Sequence, residues 1–201
     1  MIENYPFENL NESLTYINSE RIWLTYKIGL TKFAICFAYF PTQTSTDSNS
    51  VRNDEMYSQI LTETIHLKSL GHSIIMMADF NGHIGRSKTR GIKGNHFKKN
   101  PNGERLLQFC QNSSLTIVNR LCEHKITGCP IKNCPNLTKG LWTRFQGTIS
   151  SIIDYILVDA NLIKDILEVI IDDTNLIGGS SSDHNILFLT IKYYACLLYT
   201  S

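Results

Sequence analysis

The sequence predicts an α+β fold built as a mixed β-sheet sandwich. Short β-branched and aromatic runs outnumber the helical stretches. The two kinds alternate irregularly, unlike the regular strand–helix order of a doubly wound sheet. Ser73 to Ala78 is a continuous apolar run, the mark of a central strand covered on both faces. The 201 residues, 42% apolar and 18% charged, suit one domain with a real core and exclude intrinsic disorder. A net charge of +1 argues against wholesale coating of nucleic acid, while leaving local patches open. No apolar run approaches the roughly 18 residues of a membrane span, and no signal-peptide pattern opens the chain. An intracellular protein with no membrane partner is expected.

The elements follow in order. Residues 1–20 are polar and Asn-rich without strand character, and a single domain is expected over 21–192. Arg21 to Ile28 and Lys32 to Phe40 read as a hairpin around Gly29-Leu30-Thr31. Pro41 and the polar run Thr42 to Asn53 form a loop. Asp54 to Leu70 places Tyr57, Ile60, Leu61 and Leu67 at helical spacing and stops at Gly71. After the central strand, Phe80 to Gly103 is a long polar loop. Asn102 then caps a helix from Gly103 to about Asn112, with Leu106, Leu107 and Cys110 inward. Strands are expected at Leu115 to Val118, near Leu141 to Phe145, and at Ile152 to Val158. A short helix around Asn161 to Leu167 precedes strands at Val169 to Ile171 and Ile186 to Ile191. Residues 193–201 carry no pattern tying them to the fold and stay unassigned. Cys36 and Cys110 sit in apolar periodic segments and read as core fillers. Cys122, Cys129 and Cys134 share a loop with His124, but their spacing lacks the close pairs of structural zinc sites, so an ordinary reduced loop is expected.

Three segments place acids and amides at the ends of apolar strands. Asp79-Phe80-Asn81 puts a carboxylate and an amide on one side of an extended chain, able to orient water or a hard cation; the same residues also suit a plain turn. Asp154 stands among Ile152, Ile153, Tyr155 and Ile156, where an unpaired acid is costly. Ser182-Asp183-His184 offers a metal-directed carboxylate and a proton-transfer group.

Taken in order, Ala38-Tyr39-Phe40-Pro41, Asp79-Phe80-Asn81, Ile153-Asp154-Tyr155-Ile156-Leu157 and Ser182-Asp183-His184 resemble the endonuclease/exonuclease/phosphatase (DNase I-like) superfamily. That superfamily includes deoxyribonuclease I and the apurinic endonucleases. The Gly after Asn81, the stretch Asn102 to Cys110, Leu115 to Asn119, and Trp142-Thr143-Arg144 resemble the endonuclease domain of LINE-type (non-LTR) retrotransposons and their domesticated relatives. The resemblance runs from about Arg21 to Ile191. It implies a four-layer α/β sandwich, two packed mixed sheets flanked by helices, with the active cleft at one end. The family's strand-borne Asn and metal-binding Glu have no recognisable counterpart in residues 1–20, where Glu3, Glu8, Glu12 and Glu20 lie in a polar stretch. An N-terminally truncated domain, its C-terminal two-thirds, is therefore expected, with open sheet edges and exposed apolar surface.

By position, the resemblance implies that Asp79 activates the attacking water and that Asn81 positions it. His184 would contact the scissile phosphate, held in its tautomer by Asp154. Tyr39 would touch the phosphate, Asp183 would belong to the metal region, and Ser151 would lie near DNA, with Thr143 and Arg144 on the approach. Thr42 stands where the apurinic enzymes carry an Asn. The implied cofactor is Mg²⁺ or Mn²⁺, and the implied partners are DNA and a reverse transcriptase domain of the same polyprotein, working in the nucleus. The implied reaction is phosphodiester hydrolysis that nicks DNA and leaves a 3′-hydroxyl. A phosphatase on the same scaffold and a non-catalytic, partner-binding remnant are the competing readings.

Between Asp79 and Glu104 there is no acidic residue, while Arg86, Lys88, Arg90, Lys93, Lys98 and Lys99 follow one another closely. Such a run alone reads as a solvated loop. Beside a phosphodiesterase-like cleft it reads as a phosphate-backbone contact.

Overall fold

The computed structural model describes residues 20–42, 48–85, 99–119, 121, 137–172 and 182–192. Strands β1 (Arg21–Ile28) and β2 (Thr31–Tyr39) form the expected antiparallel hairpin, in register from Arg21↔Ala38 to Ile28↔Thr31. Parallel strands need a crossover. Helix α1 (Ser48–Ser69) supplies it, and β3 (His72–Asp79) then lies parallel to β2. Helix α2 (Pro101–Ser113) leads into β4 (Leu115–Ile117). The short strands β5 (Thr138–Lys139), β6 (Arg144–Gln146) and β7 (Ile149–Ser151) precede β8 (Asp154–Asp159). A 3₁₀ turn (Ala160–Asp165) joins β8 to β9 (Ile166–Ile171), and β10 (Leu187–Ile191) closes the set.

The main sheet runs β1-β2-β3-β8-β4, a second runs β10-β9-β5, and β6 and β7 form a separate hairpin. Side chains alternate between faces along each strand. On the main sheet, Trp23, Cys36, Ile74, Met76, Tyr155 and Leu157 face the helices and pack with Met56, Tyr57, Ile60 and Leu67 of α1 and with Leu106, Phe109 and Cys110 of α2. Phe33, Ile75, Ile156 and Val158 face the other way, onto Ile166 and Val169 of the second sheet. The molecule is thus the α+β sandwich of packed mixed sheets and helices that the sequence predicts. Glu63 pins α1 to the sheet by accepting from Arg21 Nε (2.9 Å) and Trp23 Nε1 (2.8 Å). Among the described residues, Ile22, Leu24, Phe37 and Tyr39 of the β1–β2 hairpin are exposed.

Several boundaries differ from the sequence reading. Helix α1 starts at Ser48, because its polar first turns give no apolar period to read. Helix α2 is capped by Asn100 rather than Asn102. Asn100 has extended backbone (φ −101°, ψ 168°) and its side chain accepts from Gly103 N, while Pro101 takes the first helical position, where a missing N–H costs nothing. Asn102 is instead fully buried and donates to the Pro41 carbonyl at 3.0 Å. The region 141–158 holds a hairpin, β6–β7, before β8 begins at Asp154. The segment after β8 is a 3₁₀ turn, so β9 begins at Ile166, three residues before the expected Val169. The cysteine loop with Cys122, His124, Cys129 and Cys134, and residues 193–201, lie outside the described residues.

Candidate active site

The site lies where one face of the main sheet runs out. Asp79 is the last residue of β3 and Asp154 the first of β8, and the two are cross-strand partners, as are Tyr39 and Asp79. Cross-strand partners project from the same face. Tyr39, Asp79 and Asp154 therefore extend the face that carries Ile35, Met77 and Ile156, one step beyond the apolar packing. The fourth group arrives from segment 182–186, stitched to β6 by Phe145 N donating to Asp183 O and Asn185 N donating to Thr143 O, each 2.8 Å.

His184 Nδ1 lies 2.9 Å from Asp154 Oδ1. An ionised carboxylate only accepts, so Nδ1 carries the proton and Nε2 is turned outward. Nε2 stands 3.9 Å from Asp79 Oδ2 and equally 3.9 Å from Asp183 Oδ1. The hydrogen bond to Asp154, together with the nearby charges of Asp154, Asp79 and Asp183, raises the His184 pKa against the lowering effect of its burial. Burial is the main cause that pushes Asp79 up to about 6, reinforced by the Asp154 charge and opposed by the Asn81 amide and by the His184 and Arg144 charges. Asn81 holds the Asp79 carboxylate through both oxygens: its N–H donates to Oδ1 at 2.8 Å and its Nδ2 to Oδ2 at 3.2 Å. That geometry takes Asn81 into the left-handed region (φ 45°), which Asn tolerates better than most residues.

Asp154 is set by its main chain. Thr143 Oγ1 accepts from Ile153 N (3.0 Å) and Asp154 N (3.1 Å). Thr143 is fully buried, which corrects its expected place on the DNA approach: its hydroxyl is spent on the start of β8. Asp154 Oδ2 is buried and has no hydrogen-bond partner among the described residues. A buried, unpartnered carboxylate oxygen calls for a cation or an ordered water. Ligand atoms of Asp79, Asp154 and His184 all lie within 4.8 Å of one another. Two carboxylates and one imidazole suit a hard or borderline divalent ion, so the residues present fit a metal.

Asp183 lies at the edge of this group, its Oδ1 3.9 Å from His184 Nε2. Arg144 Nε donates to its Oδ2 at 2.8 Å, and that bond holds the Asp183 carboxyl below the usual range. It stands beside the Asp79–Asp154–His184 cluster rather than within it. Tyr39 is half exposed, beside Asp79 on the neighbouring strand.

No protein-family model and no curated protein matches the sequence. Solved structures do match. The endonuclease domain of TRAS1, a telomere-specific non-LTR retrotransposon, superposes with a TM-score of 0.60 at 14% identity, over 92% of this chain and 70% of that one. The 3′–5′ exonuclease NExo of Neisseria meningitidis gives 0.63 at 13%, over 87% and 65%. The catalytic domain of Xenopus laevis APE2 gives 0.60 at 17%, over 86% and 55%. The chain has the DNase I-like endonuclease/exonuclease/phosphatase fold. It spans less than two thirds of the last two neighbours.

On this DNase I-like frame, a cleft of about 180 Å³ opens beside the cluster, lined by Thr42, Asn81, Asn100, Arg144, Ser151 and Ile153 among others. Ser151 and Arg144, expected near DNA, are among the residues that line this cleft. Of the basic run, Lys99 is exposed, while Arg86, Lys88, Arg90, Lys93 and Lys98 lie outside the described residues. Asn100 escaped the sequence reading altogether. It accepts from Gly103 N (2.7 Å) and His83 N (2.8 Å) and donates to Asn81 O (2.9 Å), tying α2 to the Asn81 turn. Its signal was the Asn-Pro pair just before the helix.

Proposed function

We propose that this chain is a metal-dependent phosphodiesterase that nicks DNA, the endonuclease domain of a retrotransposon-type protein. The observation that carries the reading is the Asp154–His184 pair facing Asp79 across the end of the sheet. A phosphodiester repels nucleophiles, so hydrolysis needs a base for water and positive charge at the phosphate. Asp79, fixed by Asn81, takes a proton from water, whose oxygen forms a bond to phosphorus as the bond to the 3′ oxygen breaks, and the protonated His184 ring gives that oxygen the proton with which it leaves as a hydroxyl. His184 directs Nε2 at the phosphate, its raised pKa favouring the charged ring. Mg²⁺ or Mn²⁺, which Asp79 and Asp154 would hold with His184 at their edge, supplies charge neutralisation when bound, with Asp183 the next oxygen in reach. Tyr39, Ser151 and Arg144 line the approach of the strand, and the basic run that ends at Lys99 contacts the DNA backbone.

The likeness to the TRAS1 domain over 92% of this chain supports the retrotransposon setting, with a reverse transcriptase domain as partner in the same polyprotein and a nuclear site of action. Among the described residues no helix is long and apolar enough to cross a membrane. The test is nicking of supercoiled plasmid with Mg²⁺. His184→Ala is expected to slow it roughly 10²–10⁴-fold, and a chelator to abolish it. Cleavage indifferent to His184→Ala contradicts the assignment, and absence of cleavage in the unaltered chain favours the non-catalytic reading.

A further inference from the structure

We infer that Asn119 is a positioning residue of this site, an amide that takes the place of a missing strand residue and thereby fixes Asp154 against His184. Strand β4 pairs with β8 from Leu115↔Asp159 to Ile117↔Leu157, and one further bond, Val118 N to Ile156 O (2.9 Å), continues the ladder. The reciprocal bond from Ile156 N to Val118 O is not made: the chain turns away there, and Val118 O accepts from Leu121 N (3.0 Å) instead. Ile156 N–H and Asp154 C=O would then be buried polar groups beside the site without a strand to meet them. Asn119, only 1% exposed, meets both: its Oδ1 accepts from Ile156 N at 2.8 Å and its Nδ2 donates to Asp154 O at 2.9 Å.

Only an amide does this. It presents one donor and one acceptor in the spacing of a peptide group, so it continues the ladder where the backbone has left it. A carboxylate would accept twice, leave Asp154 O unmet and set a further negative charge near Asp79 and Asp154. The consequence falls on Asp154. Thr143 holds its N–H from one side and Asn119 its C=O from the other, so its main chain is clamped where its side chain must reach His184 Nδ1. Loosening the clamp leaves every reacting group in the chain but lets the carboxylate drift from the imidazole.

Two readouts on the full chain test this. The first is the tautomer of His184, read from the long-range proton–nitrogen correlation spectrum of the imidazole without DNA. The second, which rests on the nuclease reading, is the split between kcat and KM in plasmid nicking. Asn119→Ala is expected to turn a single Nδ1–H form into a mixture, as Asp154→Asn does, and to lower kcat roughly 10- to 100-fold with KM little changed. Leu67→Ala, a core truncation at the far end of α1, is expected to cost stability while leaving the tautomer and kcat intact. If Asn119→Ala does not fold, Asn119→Gln, which shifts the same groups by one methylene, carries the same expectation. A tautomer unchanged in the Asn119 variant overturns the inference. A changed tautomer in a chain that never cleaves DNA upholds it and overturns only the nuclease reading.

Discussion

Asp154 divides its two oxygens between different tasks: Oδ1 orients His184, and Oδ2 faces a buried space with no described partner. That division makes the residue intolerant of small changes around it. Thr143→Val keeps the shape but leaves two buried N–H groups unmet, and is expected to cost about 1–3 kcal/mol. Thr143→Ser, which restores the acceptor, should return most of that in denaturant unfolding. Protonation tells a related story. Asp79, shifted from 3.8 to about 6, and His184, shifted up from 6.5, both bind protons more tightly in the folded chain than in the unfolded one. The stability they contribute is therefore fully present below their unfolded values and lost as pH rises. With metal chelated, denaturant unfolding should show Asp79's share fading between 3.8 and about 6, and His184's fading from 6.5 upward. Stability rising across that window would mean the two groups do not face each other as described.

At the scale of elements, the site depends on junctions more than on strands. The first turn of α2 passes against the Asn81 turn so closely that a Cβ on Gly103 would lie 2.0 Å from the His83 carbonyl oxygen. Gly103→Ala is therefore expected to push α2 off that turn, costing about 1–3 kcal/mol as an overpacked contact does, and to slow nicking by disturbing Asn81. Asn100→Ala removes the cap, worth about 0.5–2 kcal/mol, and two further bonds to the same turn; thermal unfolding measures both. These junctions were poorly legible in the sequence. The apolar periods of β2, β3 and β8 announced strands, and the acids at their ends announced the cleft. Asn119 and Thr143 do their work through main-chain groups supplied by other segments, and nothing local marks such partners; Asn100 had a local signal as a cap, but not for its bonds to the Asn81 turn. Asn102 showed the converse: it has the chemistry of a cap and is used instead to hold Pro41, because Pro41 and Asn53 are brought to it by the fold. Asp183 stood out in the sequence beside His184, but its engagement by Arg144 follows from β6 lying alongside segment 182–186.

Across the whole molecule, a net charge of +1 leaves DNA affinity to local patches. The basic run from Arg86 to Lys99 contains no acid, and each phosphate it neutralises steepens the dependence of binding on salt. Replacing Lys98 and Lys99 by Gln is expected to weaken binding on any sequence and to flatten that slope by roughly one per lost contact. An unchanged slope would return the run to a solvated loop. The sandwich was legible as a class because strand-rich segments with mixed spacing leave few other solutions. Its layering came with the family resemblance rather than from spacing, and the pairing of β9 with both β5 and β10 was not legible, since it joins segments that do not follow one another in the chain.

The central claim is that Asp154 and His184 act as one unit on a single phosphate, and a double-mutant cycle on plasmid nicking tests it most directly. Asp154→Asn and His184→Ala, each deleterious alone, are expected to be no worse together than the slower of the two. Losses that multiply, or single variants that cleave at the unaltered rate, would contradict it.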